Sequence, residues 1–187
     1  SYTDGGGTAE TVTSAATGPV TSAATSPVSD IPVINLSDLD GTNGFRLDGV
    51  AASDYSGWSV SSAGDVNGDG YDDLIIGAWG TDNNGGASGS SYVVFGTASA
   101  FAPTVNLSTL DGTNGFRLDG ELAGDYSGYS VSSAGDINGD GYDDLIIGAL
   151  GVDPNGSTSG SSYVVFGKAS AFAATVDLST LDGTTGF

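Results

Sequence analysis

The 187-residue chain has no cysteine, no histidine and no methionine, and its only basic residues are Arg46, Arg117 and Lys168. The absence of cysteine and histidine excludes disulfides, a Ser-His-Asp triad and most zinc sites. A formal net charge of −20 excludes nucleic acid as a partner and disfavours anionic membrane surfaces. No apolar run approaches the ~18 residues of a membrane-spanning helix, so no membrane insertion is expected. What remains is an acidic chain that repels itself unless cations neutralise it.

A nine-residue acidic stretch occurs twice, at 65–73 and at 136–144. Oxygen-bearing side chains stand at positions 1, 3, 5 and 9, a backbone carbonyl can serve at position 7, and the glycine at position 6 permits a sharp turn. This spacing is how a short loop surrounds a hard cation such as Ca²⁺. Each stretch carries four aspartates, so one bound calcium ion would halve its local charge.

This stretch has two alternative interpretations. An EF-hand requires a Glu at position 12 and flanking helices, whereas position 12 is Ile76 or Ile147 and the flanks are rich in Val, Ile, Ser and Gly. A solvated Asp/Asn/Gly turn without a metal is the second alternative. Two matching copies favour a calcium loop within a β-hairpin.

The chain repeats itself with a period of 71 residues. Residues 45–115 and 116–186 share 57 identical positions out of 71, so both copies should adopt one structure. A third copy begins at 181, which predicts that the chain is a piece of a longer protein. The Thr/Ser/Ala/Pro-rich residues 1–30 predict an N-terminal tail or linker, and their first residues resemble the last strand of an immunoglobulin-like module.

Each repeat contains about four short strand patterns. Residues 58–62 and 45–48 alternate between apolar and polar side chains, whereas 74–76 and 92–95 are apolar on both faces. A strand that is apolar on both faces lies between two neighbouring sheets. The patterns predict an all-β fold of β-propeller blades, each a four-stranded antiparallel sheet. A β-sandwich or a β-solenoid with the same number of strands is the alternative.

Several segments carry a resemblance to a known family. Residues 57–60, 65–74, 75–78 and 92–96, and their copies 71 residues later, resemble the FG-GAP repeat of integrin α-subunit propellers and of their bacterial relatives. The sequence departs from that pattern in two places. The proline that completes "GAP" is Trp79 or Leu150, and loop position 3 is an asparagine where the family often has aspartate. The second departure removes one negative charge from each loop, which should weaken calcium affinity.

The resemblance implies two calcium ions, one for each blade. The implied ligands of the first are the side chains of Asp65, Asn67, Asp69 and Asp73 and the carbonyl of Tyr71. The implied ligands of the second are the side chains of Asp136, Asn138, Asp140 and Asp144 and the carbonyl of Tyr142. Asp72 and Asp143 fall between ligand positions and are expected to point to solvent.

The repeats also predict how the chain is divided. Residues 31–55 should hold the outer strand of a preceding blade and a connection. Residues 56–120 should form FG-GAP blade 1. Residues 121–187 should form blade 2, with its outer strand incomplete.

These observations predict a calcium-stabilised structural and interaction module of a secreted or cell-surface protein, bacterial in origin, that acts in adhesion or matrix binding. Its expected partners are neighbouring blades of the same or another chain, and a protein or glycan ligand. The alternative is a glycan-binding lectin that uses Tyr55, Trp58, Trp79 and Tyr126. The strand pattern argues against it, because it places Trp58 and Tyr129 in the core. No enzyme is expected, because calcium or turns explain the recurring acidic residues.

Overall fold

The computed structural model describes residues 34–187, so the predicted linker at 1–30 and its immunoglobulin-like strand lie outside the described residues. Residues 36–187 form one unit of short β-strands and 3-10 helices, without an α-helix in the described part of the chain. None of the helices described is both long enough and apolar enough to cross a membrane. The all-β prediction is confirmed.

Blade 1 is an antiparallel sheet of four strands in the order β2-β3-β4-β6. These are β2 (Ser59–Gly64), β3 (Asp73–Ala78), β4 (Ser90–Val94) and β6 (Gly115–Asp119). Every residue of β4 is buried, and only one residue of β3 is exposed. Burial on both faces is what the continuous apolar runs predicted for the middle strands of a propeller blade.

Blade 2 repeats this arrangement with β7 (Ser127–Gly135), β8 (Asp144–Ala149) and β9 (Ser161–Val165) in the order β7-β8-β9. The partners in β8 and β9 are the residues that pair in blade 1, shifted by 71 positions. An antiparallel bridge between Val165 and Gly186 begins the fourth strand. The two repeats therefore form two blades of one design.

Parallel pairs lie at the outer edges, which the sequence patterns did not predict. β1 (Arg46–Asp48) pairs in parallel with β5 (Thr104–Asn106), and β10 (Thr175–Asp177) pairs in parallel with β6. β6, the outer strand of blade 1, thus gains a parallel strand from the connection that follows β9, and β1 gains one from the connection that follows β4. Three residues are too few to show a period-2 pattern, so the four-stranded prediction was incomplete at this edge.

Three short 3-10 helices complete the fold: η1 (Leu36–Asp38), η2 (Leu107–Thr109) and η3 (Leu178–Thr180). Asn106 and Asp177 begin the last two, because each side chain accepts a hydrogen bond of 2.9 Å from the backbone two residues later. These helices carry one buried leucine each, Leu107 and Leu178. The caps fix where those leucines enter the core.

The core lies between the blades. One cluster joins Ile75, Val93 and Phe116 of blade 1 to Val131 and Ile147 of blade 2. A second cluster covers the opposite face of blade 1, where Ile76, Tyr92 and Val94 pack with Leu107. Blade 1 is therefore apolar on both faces, and each face meets a different neighbour.

The blades approach most closely at Gly77 in β3. A Cβ atom on Gly77 would collide with the backbone carbonyl of Gly128 in β7. The Ser59 hydroxyl also accepts a hydrogen bond of 3.1 Å from the Val131 backbone N–H across the same interface. A residue without a side chain is needed at position 77 for this packing.

Candidate metal centre

The acidic loop of blade 1 joins β2 to β3 and is held by its first residue. Asp65 Oδ1 accepts hydrogen bonds from the backbone N–H groups of Gly68 (2.8 Å) and Asp69 (3.0 Å), and its Oδ2 accepts one from Gly70 (2.9 Å). Gly68 and Gly70 have φ angles of 74° and 88°, the left-handed region in which glycine is least strained. The Asp/Asn/Gly spacing thus closes a tight turn around one carboxylate.

The next two predicted ligands contact each other. Asn67 Oδ1 accepts a 2.9 Å hydrogen bond from the Asp69 N–H, and Asn67 Nδ2 donates to Asp69 Oδ2 at 3.0 Å. Asp69 Oδ1 in turn accepts a 2.9 Å bond from the Tyr71 N–H. The side chains at positions 1, 3 and 5 therefore share one turn.

The second loop has the same network. Asp136 accepts hydrogen bonds from the N–H groups of Gly139, Asp140 and Gly141 at 2.7–3.0 Å. Asn138 and Asp140 repeat both of their contacts at 2.9 and 3.0 Å, and the Tyr142 N–H donates to Asp140 at 3.0 Å. Sequence identity at these positions gives identical local geometry.

The aspartate at position 9 is buried beneath each loop. Asp73 Oδ2 accepts a 3.0 Å hydrogen bond from the Val66 N–H, and its Oδ1 accepts a 2.8 Å bond from the Gly96 N–H. Asp144 makes the matching bonds, at 3.0 Å from Ile137 and 2.9 Å from Gly167. Each carboxylate therefore ties its loop to the end of the third strand.

Burial has an electrostatic consequence at Asp73. Its loss of solvent is the main cause that raises its pKa from 3.8 to about 6, and the charges of Asp69 and Asp65 add to the rise. The hydrogen bonds from Gly96 and Val66 act in the opposite direction. The negative charges of this loop thus oppose one another when no cation neutralises them.

The donor chemistry of both loops fits a hard cation, because every predicted ligand atom is an oxygen. The arrangement of the carboxylates fits a cation less well than their chemistry does. Among residues 34–187, no group of three or more acidic side chains is arranged to hold a metal ion. Positions 1, 3 and 5 lie together, whereas the position 9 aspartate is engaged beneath them. Asp65 Oδ1 already accepts two hydrogen bonds, whereas Asp65 Oδ2 and both carboxylate oxygens of Asp69 accept one each and retain a second lone pair for a further bond.

Asp143 does not point to solvent, so that prediction was wrong. Its Oδ2 accepts a 2.9 Å hydrogen bond from the Asp65 N–H, and its own N–H donates to the Asp65 carbonyl at 3.2 Å. Asp72, at the same position of the first loop, is exposed as predicted. The difference arises because only the second loop has a preceding acidic loop within the described residues to contact.

Aromatic side chains gather at the opposite end of the strands from the acidic loops. The ring of Tyr55 stacks on Trp79 with centroids 4.6 Å apart, and Trp58 meets Trp79 edge-on at 5.8 Å. Tyr126 and Tyr129 complete the cluster, at 5.6 and 6.3 Å from Trp79. We call these five residues the aromatic cluster.

Much of the aromatic cluster is open to solvent. Trp58 is 54% exposed and Tyr129 is 39% exposed, so their predicted place in the core was wrong. An open cavity of about 340 Å³ lies among Trp58, Trp79, Tyr126, Tyr129 and Leu150. The indole Nε1 of Trp79 is buried and has no hydrogen-bond partner within the described structure. The alternating pattern in the sequence predicted a strand, but it did not indicate which side chains at the open end of that strand are covered by a neighbouring element.

The sequence reasoning also missed a buried polar network between β4 and β6. Thr81 Oγ1 donates to Ser90 Oγ at 2.7 Å, and Ser90 Oγ donates to Asp119 Oδ1 at 2.7 Å. Asp119 also accepts bonds from Asn83 at 3.0 Å and from Arg117 at 2.9 Å. Its members are ordinary turn and strand residues, so nothing in their spacing marked them.

Comparison with known proteins agrees with this geometry. The family model of the FG-GAP repeat matches residues 56–94 and 127–165. These two segments contain the first three strands of each blade together with both acidic loops. The fold and the loops define a β-propeller repeat protein of the integrin α type. The chain therefore carries two FG-GAP repeats.

Two curated relatives share part of this sequence. The chain is 33% identical over 115 residues to the mouse phosphatidylinositol-glycan-specific phospholipase D and 35% identical over 114 residues to the bovine protein of the same name. Each alignment covers 60% of this chain and 13% of the relative. The chain therefore spans only a small part of the length of these relatives.

Proposed function

We propose that this chain is a calcium-stabilised structural and interaction module of a secreted or cell-surface protein, and that it serves adhesion or matrix binding. FG-GAP repeats are typical of extracellular and cell-surface proteins, and repeats of this kind pack against neighbouring blades. The observation that carries the proposal is the same all-oxygen set at the same end of both blades. A bacterial origin is part of the proposal and rests on the resemblance and the acidic composition.

Calcium in this proposal is structural. It would be held by Asp65, Asn67, Asp69, Asp73 and the Tyr71 carbonyl in one blade, and by Asp136, Asn138, Asp140, Asp144 and the Tyr142 carbonyl in the other. The ion would supply positive charge to a turn whose carboxylates repel one another. An ion that binds only the folded chain stabilises it by about 2.7 kcal/mol at a hundredfold excess over Kd.

Calorimetric titration and thermal unfolding, in calcium and in chelator, test this proposal. We expect two ions per chain, one after Asp69→Ala or Asp140→Ala, and none after both substitutions. Asp72→Ala is the matched control, because it removes the same charge from an exposed residue between ligand positions. An unchanged melting temperature and no heat of binding in the wild-type chain would contradict the proposal.

A lectin is the second candidate, and the exposed aromatic cluster favours it. Flat rings exposed at 52% (Tyr55) and 54% (Trp58) offer faces on which a sugar ring can stack. Tryptophan fluorescence during titration with neutral oligosaccharides tests this function. Trp58→Ala should abolish the response, whereas Trp58→Tyr, the residue of the second repeat, should retain part of it. No change in the wild-type spectrum would exclude this candidate.

We infer no catalytic role for this chain. The recurring aspartates at positions 1, 5 and 9 already bind backbone N–H groups, and the named phospholipases match it over only 13% of their length. The purified chain should therefore release no product from a phosphatidylinositol-glycan substrate. Turnover that scales with chain concentration would overturn this inference.

A further inference from the structure

The third and fourth positions of each acidic loop are an Asn-Gly pair, Asn67-Gly68 and Asn138-Gly139. Asn-Gly is the dipeptide that deamidates most readily in proteins, because glycine places no side chain beside the backbone nitrogen that attacks the asparagine amide. The pairs of the acidic loops differ in their contacts from the other Asn-Gly pairs of the chain. Those pairs begin at Asn43, Asn84, Asn114 and Asn155.

Carboxylates bind both reacting groups in the acidic loops. The Gly68 N–H donates to Asp65 Oδ1 at 2.8 Å, and Asn67 Nδ2 donates to Asp69 Oδ2 at 3.0 Å. The second loop has the same two bonds at 2.7 and 3.0 Å. After Asn155, by contrast, the glycine N–H donates to a backbone carbonyl at 3.5 Å. The closed acidic loop thus holds the attacking N–H on one aspartate and the leaving amide on another, so deamidation requires the loop to open.

We propose that Asn67 and Asn138 are sites of spontaneous deamidation, and that the reaction proceeds when no cation holds the loop closed. This inference rests on the calcium binding proposed above. The Gly68 nitrogen forms a bond to Asn67 Cγ, and the bond from Cγ to Nδ2 breaks, so that Nδ2 leaves as ammonia with the proton from Gly68. One water molecule then opens the succinimide ring to aspartate or isoaspartate. Each event adds a negative charge to a chain whose formal net charge is −20.

Repulsion within the loop determines when it opens. Asp65, Asp69 and Asp73 lie on one short segment, and like charges a few ångströms apart repel one another unless a cation lies between them. A cation that binds only the closed loop lowers the fraction of open loops by about a hundredfold when the free ion exceeds Kd a hundredfold. The deamidation rate of Asn67 should fall by the same factor, because only the open loop reacts.

The aspartate product changes what the loop needs in order to close. Asn67 Nδ2 donates to Asp69 Oδ2, so the amide offsets part of the charge of that carboxylate. After deamidation two carboxylate oxygens face each other at this contact and repel. The loop then closes only around a cation, and a chain that has been without calcium depends on it more afterwards. Isoaspartate lengthens the main chain within the turn, so that product should leave the loop open in either condition.

Peptide mapping by mass spectrometry tests the proposal, after incubation of the full chain at mildly alkaline pH with calcium or with a chelator. Deamidation at Asn67 and Asn138 should be about a hundredfold slower at a hundredfold excess of calcium over Kd. Asn155 is the matched control within the same molecule, because it is exposed in a loop at the other end of the strands, and its rate should be equal in both conditions. Equal rates at Asn67 with and without calcium, in a chain that binds calcium by calorimetry, would overturn this inference and leave the proposed function intact. No heat of binding would overturn both.

Two double variants separate the charge of the product from the loss of the amide. Asn67→Asp with Asn138→Asp places the aspartate product in both loops. Asn67→Ser with Asn138→Ser is the neutral control, because a hydroxyl can still accept the N–H bond from position 5 and does not deamidate. In chelator the aspartate variant should melt below the serine variant, and calcium should raise its melting temperature by more. Equal melting temperatures of the two variants in chelator would overturn the coupling between deamidation and the need for a cation.

Discussion

The carboxylate of Asp143 accepts a hydrogen bond of 2.9 Å from the backbone N–H of Asp65, 78 residues earlier in the chain. The acidic loop of blade 2 thereby holds the first residue of the acidic loop of blade 1. Asp65 itself closes its own loop through three backbone N–H groups. The order of one candidate metal loop therefore depends on the next blade.

Asp143→Ala should lower the free energy of unfolding by about 1.5–3 kcal/mol, because it removes a hydrogen bond to a charged group and leaves the Asp65 N–H without its partner. Urea unfolding of the chelated chain measures this change without any contribution from calcium. Asp72→Ala is the matched control, since the same residue type at the same repeat position is exposed. Equal effects of the two substitutions would show that the cross-blade bond does not stabilise the chain.

Leu107→Ala should be among the most destabilising substitutions in the chain. Leu107 is 2% exposed and packs with Ile76, Tyr92 and Val94, so truncation leaves a cavity that costs about 2–5 kcal/mol. The matched control is Leu36→Ala, at the same repeat position but 81% exposed, where a change within about 0.5 kcal/mol is expected. Urea unfolding compares the two. A large effect at Leu36 would mean that this side chain is covered in solution.

The sequence predicts the strands and loops well because both follow from local patterns. The runs at 74–76 and 92–95 are apolar on both faces, and the structure buries all of them except Leu74, with blade 2 on one face and Leu107 on the other. Likewise the Asp-Asn-Asp spacing fixes the turn at 65–71, since its hydrogen bonds join residues at most five apart. A turn needs no information from elsewhere in the chain.

Local sequence patterns do not predict the contacts between blades. Asp143 and Asp72 have the same neighbours in sequence, yet only Asp143 meets another loop. The exposure of Trp58 has the same cause, because a residue beside the end of a strand is buried or open according to what packs over that end. The parallel strand β10 was missed because its partner, β6, is defined only once the blades are stacked.

The carboxyl group of Asp182 should take up its proton only in strong acid. Hydrogen bonds from the Thr184 hydroxyl (2.7 Å) and backbone N–H (2.9 Å) are the main causes that lower the pKa of Asp182 from 3.8 to about 2. Because the pKa is lower in the folded chain, the turn's contribution to stability is present above pH 3.8 and is lost as the pH falls through about 2.

Carbon-13 NMR titration of the Asp182 carboxyl group measures this pKa directly. Thr184→Ala should move the pKa back towards 3.8, because it removes the hydroxyl donor. Thr180→Ala, whose hydroxyl donates to the Asp177 carbonyl instead, should leave it unchanged. An Asp182 pKa near 3.8 in the wild-type chain would show that the turn is open in solution.

Gly77 and Gly148 occupy the same position of the two repeats but should differ in how much an alanine destabilises the chain. A Cβ on Gly77 meets the Gly128 carbonyl of the neighbouring blade, so Gly77→Ala should destabilise the chain by about 1–3 kcal/mol through overpacking. The nearest atom to a Cβ on Gly148 is Ser130 Cβ at 3.5 Å, an ordinary contact, so Gly148→Ala should leave the stability of the monomer nearly unchanged. Unfolding of both variants at low chain concentration measures the difference. Equal losses of stability in the two variants would show that the contact between Gly77 and Gly128 is not what limits the size of this residue.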